Sequence, residues 1–134
     1  MDRQRTETVV RVALGVAGAA YVALGLWQAF SPGSFHRALA DFGPRNDHTM
    51  RDVATFYLAL GAAMLVAVGR PSWRVPVLSV AVVESVLHAL NHVVDSGEAH
   101  PSWVGPFDAV TLSLATVALV LTLVAARRTE EASR

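Results

Sequence analysis

The chain has 134 residues, 53% of them hydrophobic and 16% charged, with 11 acidic and 11 basic side chains that cancel. Without net charge or a basic stretch interleaved with aromatics it lacks the footprint of a nucleic-acid binder. Without cysteine it is excluded from disulfides, thiolate metal sites and cysteine nucleophiles. The length allows one domain, and a mean hydropathy of +0.41 goes with a charged fraction well below the roughly one quarter usual in soluble domains. Most apolar residues fall in four blocks separated by polar stretches, which is the pattern of a polytopic membrane protein.

The first block covers residues 9–30, with Arg11 near its start and "SPG" (31–33) stopping it. About 20 apolar residues cross a bilayer at a rise of about 1.5 Å each. A cleaved leader is the rival reading, since the run follows Arg3 and Arg5 and contains "AGAA". The apolar segment continues through "YVALGLW", past any such cleavage site, which favours a retained helix.

Residues 31–51 form a polar connector. Within it "SFHRALADF" has the spacing of a short amphipathic helix on the membrane surface, with Phe35, Leu39 and Phe42 expected to face lipid, and "FGPRND" ends it. The second block, near 52–68, is short and spans only when its helix begins at Asp52 or earlier. "GRPSWR" (69–74) is a tight turn with Trp73 at interface depth. The third block runs over about 75–95. The loop that follows carries Trp103 as a second interfacial anchor, and the fourth block, about 107–126, ends in "RRTEEASR".

The expected fold is therefore all-α: a four-transmembrane-helix bundle in one integral membrane domain, with a short amphipathic connector between helices one and two. Arg3, Arg5, Arg11, Arg70, Arg74, Arg127, Arg128 and Arg134 fall on one side of it, and only Arg37, Arg45 and Arg51 on the other. The positive-inside rule then places both termini in the cytoplasm and the 31–51 and 95–106 segments outside, in a multi-pass protein of the cell membrane. "YVALG" (21–25) recurs as "YLALG" (57–61); the small residues Gly15, Gly18, Gly25 and Gly61 suit close approach of helix backbones more than they argue for duplication.

The chemistry concentrates in "ESVLHALNHVVD" (84–95). At about 100° per residue, Glu84, His88, Asn91, His92 and Asp95 fall within roughly a 100° stripe. Such groups turn toward a bundle interior or wet cavity, not toward lipid. Asp95 lies near the outer surface and Glu84 about 16 Å deeper. All five histidines (His36, His48, His88, His92, His100) fall on that outer half; Asp52 opens the second helix there and Asp108 the fourth. The expected assembly is an outward-facing vestibule lined by His88, His92, Asp95, Asp52 and Asp108, with His48 beside it; the candidate metal or ligand residues are His88, His92, Asp95, Asp52 and Glu84, with His48, Asp108 and Asn91 as secondary candidates.

Several chemistries fit this set. His88 and His92, four residues apart, share a helix face, and a carboxylate from Asp52, Asp95 or Glu84 would complete a site for zinc, iron or copper. "HALNH" has the spacing of a metalloprotease helix, but Ala89 stands where the catalytic Glu belongs. A hydrogen-bonded network that only sets helix registry and a site for an organic, quinone-like ligand are the alternatives. Haem is disfavoured, because an i,i+4 pair on one helix cannot straddle a porphyrin. A proton relay is a further alternative, with Glu84, His88 and His92 leading to the outer surface, against a neutral Glu84 hydrogen-bonded to Ser85, Tyr57 or a Thr of the fourth helix; helix three offers only Ser79 on the other side, so a path across the membrane is not expected. No G-x-S-x-G, P-loop or G-x-G-x-x-G pattern is present.

"GLWQAFSPGSF" (25–35) and "RDVATFYLALGAAML" (51–65), followed by "LHALNH" (87–92), resemble small bacterial four-helix membrane proteins of the DoxX-like and DUF4345-like type. The resemblance implies a membrane-embedded accessory or redox-linked role, some DoxX-type members being tied to quinone-linked sulfur oxidation. The leading expectation is a polytopic membrane protein with an outward-facing His/carboxylate site for a metal ion or small ligand. Its alternatives are an oxidoreductase or quinone-linked component and a structural subunit without site chemistry. The expected partners are the lipid bilayer and a second copy or a larger membrane complex.

Overall fold

The computed structural model describes residues 3–132, and within them all regular structure is helical: α1 (Arg3–Phe30), α2 (Pro32–Leu39), α3 (Asp47–Gly69), α4 (Pro71–Val94) and α5 (Val104–Glu131). Arg134, counted above for orientation, lies outside the described residues. The four long helices each contain a stretch long and apolar enough to cross a membrane, and only 22–28% of each stretch is buried inside the bundle. The remainder presents side chains such as Val16, Val83, Leu87, Leu114 and Leu121 outward, more than half exposed. Water does not tolerate a continuous apolar surface of this extent, and lipid does. The chain is a multi-pass membrane protein with four spanning helices.

The helices begin earlier than the apolar blocks do, for local reasons. Asn46 caps α3: its Oδ1 accepts from the amides of His48 and Thr49, both at 3.1 Å. That start makes α3 23 residues long, enough to span. Pro71 fits the first turn of α4, where its missing N–H costs nothing. Arg70 alone joins α3 to α4.

α1 packs along α3, and α4 along α5, each pair antiparallel and intimate. The first pair meets through glycine. A Cβ on Gly18 would stand 3.0 Å from Gly61 O, and one on Gly61 would stand 2.9 Å from Gly18 O. Backbone therefore touches backbone, as small residues allow where lipid supplies no hydrophobic drive between helices. Tyr21 and Tyr57, from the two similar pentapeptides, follow with ring centroids 5.2 Å apart. The second pair is clipped by hydroxyls: Ser85 Oγ and Thr116 Oγ1 share a hydrogen bond of 2.6 Å, and Thr116 Oγ1 also lies within reach of the carbonyls of Leu112 (2.8 Å) and Ser85 (3.1 Å).

The two ends of the bundle differ. Toward the termini, which lie together (Arg3 Nη1 donates to Ala132 O at 3.5 Å), Val10, Leu14, Met64, Ala67, Leu78, Ala81, Leu119 and Ala126 form an apolar core. Arg74 closes that end. It is 6% exposed, donates through Nε and Nη2 to the carbonyls of Ala67 and Val68 and through Nη1 to Glu7, each at 3.3 Å. It thus satisfies the C-terminal carbonyls of α3 that no helical amide reaches.

At the other end α2 folds over the bundle. Trp27 Nε1 donates to Ser34 Oγ at 2.7 Å, and its ring meets Phe35 edge-on at 5.3 Å. Phe35 is buried, Leu39 lines an internal cavity, and Phe42 packs edge-on against His92 at 4.9 Å. This corrects the expectation that the three face lipid: the apolar side of α2 faces inward, because the bundle end beneath it needs a cover. His36 Nε2 donates to Gly43 O (3.0 Å), and the His100 amide donates to Asp41 O (2.8 Å), tying connector and α4–α5 loop into one cap.

Candidate functional site

Beneath the cap lies a vestibule of about 260 Å³, lined by residues of all five helices, among them Gln28, Tyr57, His88, His92, Asp108 and Thr111. α4 contributes its histidines as a shoulder. Its most buried ridge is the small-residue row Ala81, Ser85 and Ala89, packed on α5, with Leu78 below. Glu84, His88, His92 and Asp95 stand beside that ridge, half-buried, while Asn91 is exposed.

The polar side chains form a line. Tyr21 donates to Glu84 Oε2 (2.8 Å). Glu84 Oε1 stands 3.8 Å from His88 Nδ1. The His88 and His92 rings stack at 4.8 Å with planes 30° apart. His92 Nδ1 stands 3.7 Å from Asp108 Oδ2. The last distance exceeds hydrogen-bond reach, and both atoms are enclosed without a hydrogen-bond partner. So is Gln28 Oε1, on a side chain 6% exposed. Three enclosed polar atoms lacking partners thus belong to residues that line one cavity. A buried polar group without a partner costs about 1–3 kcal/mol, so these three atoms call for a polar occupant of the cavity, water or a ligand.

The eight residues singled out in the sequence do not make one set. His88, His92 and Asp108 line the vestibule. Asp95 and Asn91 form its outer lip, sharing a recess of about 120 Å³ with His92 and Phe42. Glu84 instead borders a separate groove between α3 and α4. Asp52 stays at the surface and pairs with His48 (3.4 Å), four residues earlier on α3; that helix turns this edge away from the vestibule. Among the described residues, no three His, Asp or Glu side chains gather around one point in the manner of a metal site. Stacking explains part of this. Ring-nitrogen lone pairs lie in the ring plane, so two stacked imidazoles aim side by side and do not converge.

Gln28 escaped the sequence reading, although a signal existed. It is an amide inside an apolar block, and Gly18, Tyr21, Gly25 and Gln28 recur at three- and four-residue spacing, which puts Gln28 on the face that α1 buries. No family model matches the chain, and neither a curated protein nor a solved structure does.

Proposed function

We propose that this multi-pass membrane protein binds a small cationic ligand in the vestibule, held by Asp108, His92 and Gln28. The observation that carries the reading is the meeting of three enclosed, unpartnered polar atoms on one cavity. An imidazole, a carboxylate and an amide oxygen suit a cation. Asp108 has no arginine beside it, and a buried carboxylate needs a compensating charge. A divalent metal is the sharper form: His92 Nδ1 and Asp108 Oδ2, 3.7 Å apart, both lie within reach of one zinc, iron or copper ion with bonds of about 2.1 Å. Gln28 and water would complete its coordination. The excess of arginine near the termini supports placing them in the cytoplasm, so that the vestibule opens outward.

Metal analysis of purified protein tests this, together with thermal unfolding titrated with zinc, copper and ferrous salts. The expected result is one ion per chain and a raised unfolding temperature, both lost in Asp108→Asn and His92→Ala. Wild type that carries no ion and is not stabilised by any of them removes the metal form. Membership of the DoxX-like group, a quinone-linked role and a place in a larger complex belong to the same proposal's alternatives. Stable co-purification with other subunits, and unchanged function in the Asp108→Asn variant, would favour the structural one.

A further inference from the structure

On the opposite side of Tyr57 from the vestibule, α3 and α4 part to leave a lateral groove of about 690 Å³. Its walls are apolar, with Phe56, Leu60 and Ala63 from α3 and Trp73 and Val77 from α4. It runs from Ser72 near the start of α4 to Glu84, twelve residues on, or about 18 Å. Pro76 lies between them and cannot donate to the carbonyl of Ser72, so the helix is weakened where the groove opens. Glu84 brings a carboxyl group to this lining. Its Oε2 is taken by Tyr21. Its Oε1 stands 3.8 Å from His88, too far for a hydrogen bond, on a side chain 34% exposed.

We propose that this groove holds a neutral lipid alcohol, its hydroxyl hydrogen-bonded to Glu84 and its hydrocarbon chain lying between α3 and α4. The chemistry of each end selects that class. A group at the depth of Glu84 meets lipid, not water, so a ligand bringing a phosphate or ammonium there would lose its hydration. A hydroxyl carries no charge, and it both donates and accepts, so it pairs with Glu84 whether or not the carboxyl holds a proton. A plain hydrocarbon fills the walls equally well but leaves Oε1 without a partner. The groove opens to the side of the bundle, which suits a molecule arriving through the bilayer. This inference does not rest on the vestibule's ligand, because Glu84 lines the groove and Asp108 the vestibule.

The test is photolabelling of the full chain in lipid nanodiscs with two probes: hexadecanol bearing a mid-chain diazirine, and the matching hexadecane without the hydroxyl. The expected adducts of the alcohol fall on peptides containing Phe56–Ala63 and Val77–Glu84 and are displaced by unlabelled hexadecanol. The alcohol should outlabel the hydrocarbon there about fivefold, as one hydrogen bond of roughly 1 kcal/mol implies. Glu84→Leu should bring the two probes level. Ala59→Trp, which fills the groove from its exposed rim, should remove labelling by both while leaving the core untouched. Equal labelling by the two probes in wild type would overturn the proposal. So would adducts spread evenly over the outward face of α5 and unaffected by Ala59→Trp, which is ordinary solvation by lipid.

Discussion

The two halves of this bundle bury charge to the same degree and treat it in opposite ways. Arg74, near the termini, is 6% exposed, and Asp108, under the α2 cap, is 7% exposed. Arg74 donates to two helix-end carbonyls and to Glu7 and sits against a continuous apolar core. Asp108 faces a cavity with an enclosed carboxylate oxygen that takes no hydrogen bond, and the imidazole nearest to it, His92, likewise has an enclosed nitrogen without one. A buried charge with every bond made is part of the architecture. A buried charge left open, next to space, is poised for something that arrives. That contrast separates the half of the molecule that holds the helices together from the half that has chemistry to offer.

Substitutions can break or sharpen the contrast. Arg74→Ala should be the most damaging, because it strands two α3 carbonyls and opens the packed end. Loss of a fully enclosed ion pair costs about 3–5 kcal/mol, and since the Glu7 side chain is 44% exposed the expected loss is nearer 2–3 kcal/mol, read by equilibrium unfolding in mixed micelles. Leu14→Ala, in the same half, should cost about 2 kcal/mol. That is the low end of the range for core leucines, because in lipid only packing is lost and not transfer from water. Thr116→Val, which breaks the clip at mid-depth, should cost about 0.6 kcal/mol, the usual size of such a bond between membrane helices.

Asp108→Asn should change stability least, by under about 0.5 kcal/mol and with either sign, since it relieves an uncompensated charge; its effect should fall on ligand binding. If Asp108→Asn destabilised as severely as Arg74→Ala, the vestibule would be one more structural network. Phe42→Ala leaves the bundle intact and uncovers His92. It should speed modification of His92 by diethyl pyrocarbonate relative to His88, and an unchanged rate would show that the cap does not control access.

Much of this was legible along the chain. Hydropathy is a local property, so the four spans follow from composition in windows of bilayer length. The helical repeat places Glu84, His88 and His92 on one face of α4 without knowledge of any neighbour. The same repeat could have drawn attention to Gln28, in register with Gly18 and Gly25. The start of α3 was less legible, because Asn46 caps it within a stretch whose polarity looks like loop.

Other features belong to the tertiary structure alone. Periodicity says which residues share a face of one helix, but not how far that helix is rotated toward its neighbours, and the rotation decides each partner. It sends Glu84 to Tyr21 and a lipid-facing groove, and leaves Asp52 at the surface with His48. It brings Asp108 to His92 and Gln28, and turns the apolar side of α2 inward as a cap. The sequence alone determined that this chain enters a membrane and carries a titratable stripe on α4. Only the packing of five helices decided which of those groups found partners and which were left facing open space, because hydrogen bonds between helices depend on distances of a few tenths of an ångström that no single segment encodes.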